Sequence, residues 1–159
     1  MTKIIEMQIK IARRLTPEEI LEMEKQIESS IDFDIRRIEI KSNEDIKKKW
    51  PIYTKWASLH YAYKAYEEEG ENYYIYEENF TLSLKELLKI LTEKKIQLIN
   101  EIAKGVESIS DLARKVKRDV TNVYRDLKVL EKLKIIKLEK AGKNVIPKIV
   151  AEKITIELI

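Results

Sequence analysis

Apolar residues alternate along Lys3–Arg13, with Ile5, Met7, Ile9 and Ile11 on one side. That period of two predicts a half-buried strand. Thr16-Pro17-Glu18-Glu19 reads as a helix start: Thr as N-cap, Pro in the first helical position, acids in the first turn. The helix is expected to reach about Ser29. Phe33, Ile35, Ile38 and Ile40 mark a second strand, with an irregularity at Arg36-Arg37. Asn43 is expected to cap a further helix that meets Pro51, where the missing donor and the ring clash predict a kink or a break. The helical period resumes through Glu69, and Gly70 closes it. Tyr73–Tyr76 predicts a third strand or an extended link. Ser83-Leu84-Lys85-Glu86 has capping-box spacing and opens a short helix to Leu91.

From Thr92 the pattern becomes three short amphipathic helices and a hairpin. The first is Thr92–Lys104, with Ile96, Ile99, Ile102 and Ala103 as its apolar stripe and Gly105 at its end. Ser108 with Asp111 resembles a capping box built with the shorter acid, and Ser110 is the rival cap. Ile109, Leu112, Ala113 and Val116 face inward from the second helix. Lys117-Arg118-Asp119 forms a turn, and Asp119 caps a third helix, about 119–133, whose buried stripe is Val120, Val123, Leu127 and Leu130. Ile135–Glu139 and Val145–Ile149 are strands joined by the basic turn Lys140-Ala141-Gly142-Lys143-Asn144, and Pro147 marks the returning strand as an edge. Ile154–Leu158 alternates and predicts a further strand, on the N-terminal half or on a partner subunit.

Three helices followed by a hairpin is the order of a winged helix-turn-helix, a domain that places its third helix in the major groove of DNA. The expected fold class is α+β. A C-terminal winged helix-turn-helix (three helices plus a β-wing) occupies 81–159, behind an N-terminal β-α-β-α region at 1–80 that dimerises, senses or binds a partner. On this reading the third helix presents Thr121, Asn122, Arg125 and Lys128 opposite its buried stripe, with Tyr124 on the border. Arg and Asn have the bidentate geometries that guanine and adenine favour. Lys140, Lys143 and Asn144 at the wing tip would meet the flanking backbone or minor groove. Ser110, at the start of the second helix, and Arg118, in the turn, complete the candidate DNA contacts.

Charge supports that assignment. The net charge of +3 conceals −4 in residues 1–80 (13 Lys and Arg, 17 Asp and Glu) and +7 in residues 81–159 (18 and 11). A basic half suits phosphate contact; an acidic half does not lie broadly on DNA. Charged residues make up 37% of the chain, against a usual ~25%. Lys and Glu dominate them, as in heat-stable proteins or under a Lys/Ile-rich codon bias. With no Cys and one His, His60, a disulfide framework is excluded and a zinc site has almost no ligands. No apolar run approaches the ~20 residues of a membrane span, and Met1–Arg14 is not a signal peptide, so the expectation is a cytoplasmic protein with no membrane partner.

Trp50, Tyr53, Trp56, His60, Tyr61, Tyr63 and Tyr66 cluster in one helical stretch. They read either as an aromatic surface for a ligand, a partner or single-stranded nucleic acid, or as a core plus a dimer face, the favoured reading. Glu67-Glu68-Glu69 and Glu77-Glu78 could ligate magnesium but read more simply as solvated helix termini. No nucleophile–base pair, P-loop or dinucleotide fingerprint occurs, so neither an enzyme nor a cofactor is expected.

The run SISDLARKVKRDVTNVYRDLKVLEKLKIIKLEKAGKNVIPKI resembles the archaeal MarR-like/ArsR-like winged-helix transcriptional regulators, in particular an antitoxin-like branch. Arg114, Arg118-Asp119, Asn122-Val123 and Arg125-Asp126 fall in register with its pattern, and the similarity covers about Leu84–Glu157. The resemblance implies repression or autoregulation through double-stranded DNA, commonly as a homodimer and sometimes beside a toxin-like protein. This chain has Leu133-Lys134 where many relatives have Leu-Gly, so the tight turn there is expected to be built differently, and its N-terminal region is longer. Two functions remain open: a sequence-specific regulator, or a protein-interaction module or antitoxin acting through the N-terminal half.

Overall fold

A computed structural model describes residues 6–70 and 74–158. The fold is mixed α+β. In chain order the elements are β1 (Glu6–Leu15), α1 (Pro17–Ser30), a 3-10 turn (Ile35–Arg37), α2 (Asn43–Glu69), β2 (Tyr74–Ser83), α3 (Leu84–Ile90), α4 (Glu93–Lys104), α5 (Ile109–Val116), α6 (Val120–Lys132), β3 (Ile136–Ala141), β4 (Asn144–Ile149) and β5 (Ala151–Leu158). Two compact units result, Met1–Arg13 with Tyr76–Ile159 and Arg14–Ile75. The border expected at residue 80 thus falls inside β2. Ile5 and Tyr73, assigned above to strands, lie outside the described residues.

In the larger unit β1 is the middle strand of a three-stranded sheet ordered β2-β1-β5. β5 runs antiparallel to β1, with Ile9 opposite Ile156 and Ile11 opposite Ile154. The terminal strand read from the alternation of ITIEL therefore joins the N-terminal strand of its own chain. One continuous core takes Ile9 and Ile11 from β1, Leu87 from α3, Leu98 and Ile102 from α4, Leu112 and Val116 from α5, and Val123, Leu127 and Leu130 from α6. β3 and β4 form a separate two-stranded sheet. Gly142 (φ 63°) takes the first central position of their two-residue turn, a conformation Gly adopts without a Cβ clash.

In the smaller unit α1 packs along α2, burying Ile20 and Glu24 of α1 and Trp56 and Leu59 of α2. The Glu24 carboxylate meets His60 Nδ1 at 2.5 Å, and Glu28 accepts the Trp56 indole N–H at 3.0 Å. Of the aromatic cluster, Trp56 is core, whereas Trp50 and Tyr61 are exposed.

Two expectations fail here, and of the kink or break expected at Pro51 the break does not occur. The strand drawn through Phe33, Ile35, Ile38 and Ile40 is replaced by the 3-10 turn. Asp34 accepts the Arg36 N–H at 3.0 Å, a local side-chain bond that competes with extended backbone. Only Ile35 is buried among those four. Ser42, not Asn43, caps α2, accepting the Asp45 N–H at 3.1 Å. Pro51 does not break the helix, since α2 is assigned as one helix of 27 residues. No helix among the described residues is long and apolar enough to cross a membrane.

Candidate nucleic-acid interface

Side-chain caps fix the three helices that carry the candidate residues. Thr92 accepts the Lys95 N–H at 3.3 Å and starts α4. Ser108 accepts the Asp111 N–H at 3.0 Å and starts α5, leaving Ser110 exposed and outside the cap. The Asp111 carboxylate reaches back to the Glu107 N–H at 3.0 Å and also meets Arg114 and Lys115. The Glu107 bond, more than the two cations, holds that carboxyl below its ordinary range against the opposing effect of burial.

α5 ends at Lys117, which takes the left-handed conformation (φ 56°, ψ 48°) so that the Arg118 N–H donates to the Ala113 carbonyl at 3.0 Å. The chain turns there, and Asp119 accepts the Thr121 N–H at 2.8 Å to start α6. Val123, Leu127 and Leu130 then lock one face of α6 into the core. Val120, the first residue of α6, does not join them: it is 46% exposed. The α4 stripe is rotated in the same way. Leu98 and Ile102 are buried, while Ile96 and Ala103 face solvent.

The outer face of α6 presents Thr121, Asn122 and Arg125 to solvent. Asn122 and Arg125 line a cavity of about 530 Å³ together with Lys94 and Lys95 of α4, Arg118 and Asp126. Arg118 bonds Asp126 at 2.7 Å, and Lys95 lies 3.9 Å from the same carboxylate. Arg118 is therefore a strut between the turn and α6, with only 17% of its side chain accessible and its Nη1 buried without a partner. Arg125 enters no ion pair among the described residues. Residues 90–156 match the family model HVO_A0114. That stretch runs from the end of α3 through α4–α6 and the hairpin into β5, and so includes every residue considered in this subsection. No curated protein and no solved structure matches the chain.

The remaining candidates are placed elsewhere on the same unit. Lys128 bonds Glu131 at 2.8 Å and stands 5.7 Å from the Tyr124 ring centre, so its charge is partly engaged; that Glu131 bond raises its pKa. Tyr124 is 45% exposed beside Val120, giving α6 an apolar patch next to its polar one. Lys140, Lys143 and Asn144 are exposed around the hairpin turn. Lys94 and Lys95 were missed because the α4 segment was read only for its apolar stripe; a Lys pair just after an N-cap was the available signal. No group of three or more His, Cys, Asp or Glu suited to a metal ion occurs among the described residues.

Proposed function

We propose that α4–α6 and the β3–β4 hairpin form a winged helix-turn-helix, and that the chain is a sequence-specific, dimeric transcriptional regulator of double-stranded DNA. In this reading α6 enters the major groove and the hairpin touches the flanking backbone. The carrying observation is the division of α6: Val123, Leu127 and Leu130 fully buried, Thr121, Asn122 and Arg125 on the open side. Amphipathic helices generally leave charges in water, so exposure by itself would say little. Asn122 and Arg125, however, are of side-chain types that can read base edges bidentately, and they sit one turn apart at the start of a helix whose register the core fixes. Lys94, exposed beside them, supplies charge for phosphates.

The test is a mobility shift on promoter DNA of the chain's own operon across a salt series. Affinity should fall steeply with salt. Arg125→Ala should cost about 1–3 kcal/mol and relax specificity at one base pair. Arg125→Ala and Asn122→Ala variants that both bind as tightly as the parent would remove α6 from the interface. A stable protein partner captured without any DNA shift would favour the antitoxin-like reading instead.

A further inference from the structure

β5 is an edge strand whose apolar face is only half covered. Its residues Ile154 and Ile156 stand opposite Ile11 and Ile9, so all four side chains emerge on the same face of the sheet. The β1 pair is 1% and 2% exposed, yet Ile154 is 39%, Ile156 45% and Leu158 73% exposed. The core that covers β1 stops short of β5. Beyond β5 no further strand pairs among the described residues, which leaves a row of backbone donors and acceptors open. The strand carries no Pro; its Lys153 and Glu157 lie on the face opposite Ile154 and Ile156, and its register shift against β1 falls between Ala151 and Lys153, short of the apolar row.

We infer that the β5 edge pairs antiparallel with the β5 edge of a second copy of this chain, centred on Thr155, giving a continuous six-stranded sheet. The argument is self-complementarity. In that register Lys153 lies opposite Glu157 of the other copy, and Glu157 opposite its Lys153, on one face. Thr155 meets Thr155 between them. On the other face Ile154 lies opposite Ile156, twice. Opposite charges, Thr–Thr and β-branched pairs are each favourable directly across strands. A one-residue slip turns one copy's apolar row to the wrong face, and a two-residue slip parts Lys153 from Glu157. The two-fold axis makes the contact closed, so pairing stops at two copies. Glu157 already lies 3.4 Å from Lys10 of its own chain, which holds it on the polar face where the partner's Lys153 would arrive. The proposal takes from the preceding section only the expectation of two copies.

The experiment is sedimentation or light scattering of the full chain over a concentration series. The parent should be a dimer. Lys153→Glu sets two Glu–Glu pairs across the axis and should weaken association about tenfold or more. Adding Glu157→Lys should restore it to within about threefold, although that double variant also loses the Lys10–Glu157 contact. The chain has no cysteine, so single thiols report register. Thr155→Cys should give a disulfide-linked dimer on mild oxidation, because residues directly opposite across an antiparallel pair are about 4.5–5.5 Å apart at Cα. Lys153→Cys, displaced along the strand from its own copy, should not. A monomer at all concentrations overturns the inference. So does a dimer indifferent to Lys153→Glu that links through Lys153→Cys rather than Thr155→Cys. Arg125→Ala should leave the mass unchanged, so a dimer that ignores DNA, or a monomer that shifts it, tells the two proposals apart.

Discussion

Lys134 and Asp111 show single residues setting the geometry of the larger unit. Lys134 stands where the resembling regulators carry Gly, and the absence of Gly suggested a differently built turn. The turn is instead built in the Gly conformation: Lys134 has φ 63°, its N–H donates to the Glu131 carbonyl at 2.9 Å, and the Ile135 N–H to Leu130 at 3.1 Å. A side chain in that left-handed region costs about 1–2 kcal/mol. Gly relieves it and loses about 0.5–1 kcal/mol of unfolded-chain entropy. Lys134→Gly should therefore stabilise the chain by about 0.5–1 kcal/mol in urea unfolding; a loss of stability would contradict the left-handed assignment. Asp111 acts through charge. Its carboxyl is held low in the folded chain, chiefly by the Glu107 N–H. The stabilisation is thus complete above the unfolded Asp value of about 4 and is lost as pH falls through the lower folded value. Asp111→Asn keeps an acceptor for Glu107 and drops the charge. Its deficit against the parent should be constant at neutral pH and shrink below about pH 4 in thermal melts; a deficit growing with acidity would refute the linkage.

Whole elements were legible where capping residues and apolar period agreed. Thr16, Ser83, Thr92, Ser108 and Asp119 each mark a helix start, and each side chain accepts the expected N–H. β2 was read only as a short strand or link because Glu78 interrupts its apolar row of Tyr76, Phe80 and Leu82. The carboxylate belongs there: it pairs at 3.1 Å with Arg13 of β1, a partner far upstream that no local window includes. The site was partly legible for a related reason. Asn122 and Arg125 followed from the phase of α6, but their cavity neighbours Lys94 and Lys95 come from another helix, and adjacency of α4 and α6 is tertiary. Phase errors at helix starts gave the other misses, and one of them is testable. Val120 and Leu127 lie on one predicted stripe, yet Leu127 is fully buried and Val120 is 46% exposed. Leu127→Ala should cost about 2–5 kcal/mol of unfolding free energy. Val120→Ala should cost no more than about 0.5 kcal/mol. In the proposed complex Val120 would instead touch the groove, where apolar side chains meet thymine methyls. Equal costs for the two substitutions would show that the register of α6 is misassigned.

At the scale of the whole molecule, the proposed interface and the proposed DNA contact make a joint prediction that neither makes alone. A two-fold sheet would carry two copies of α6 and two hairpins, so every contact to the duplex would occur twice. Salt dependence counts such contacts, since each phosphate neutralised contributes about 0.9 to the slope of log affinity against log salt. Lys143, exposed at the hairpin turn, is the cleanest probe because its truncation disturbs no buried group. Lys143→Ala should lower the slope by about 2 if two copies engage one site, and by about 1 if a single copy binds. Lys153→Glu should leave the contacts of each copy intact while weakening the pair. At high protein concentration that variant should therefore recover the parent's slope, and at low concentration it should bind poorly and with a sigmoidal dependence on protein. A Lys143→Ala slope reduced by only one unit, with simple hyperbolic binding by Lys153→Glu, would mean that the chain meets DNA as a monomer and that the β5 edge serves something other than operator symmetry.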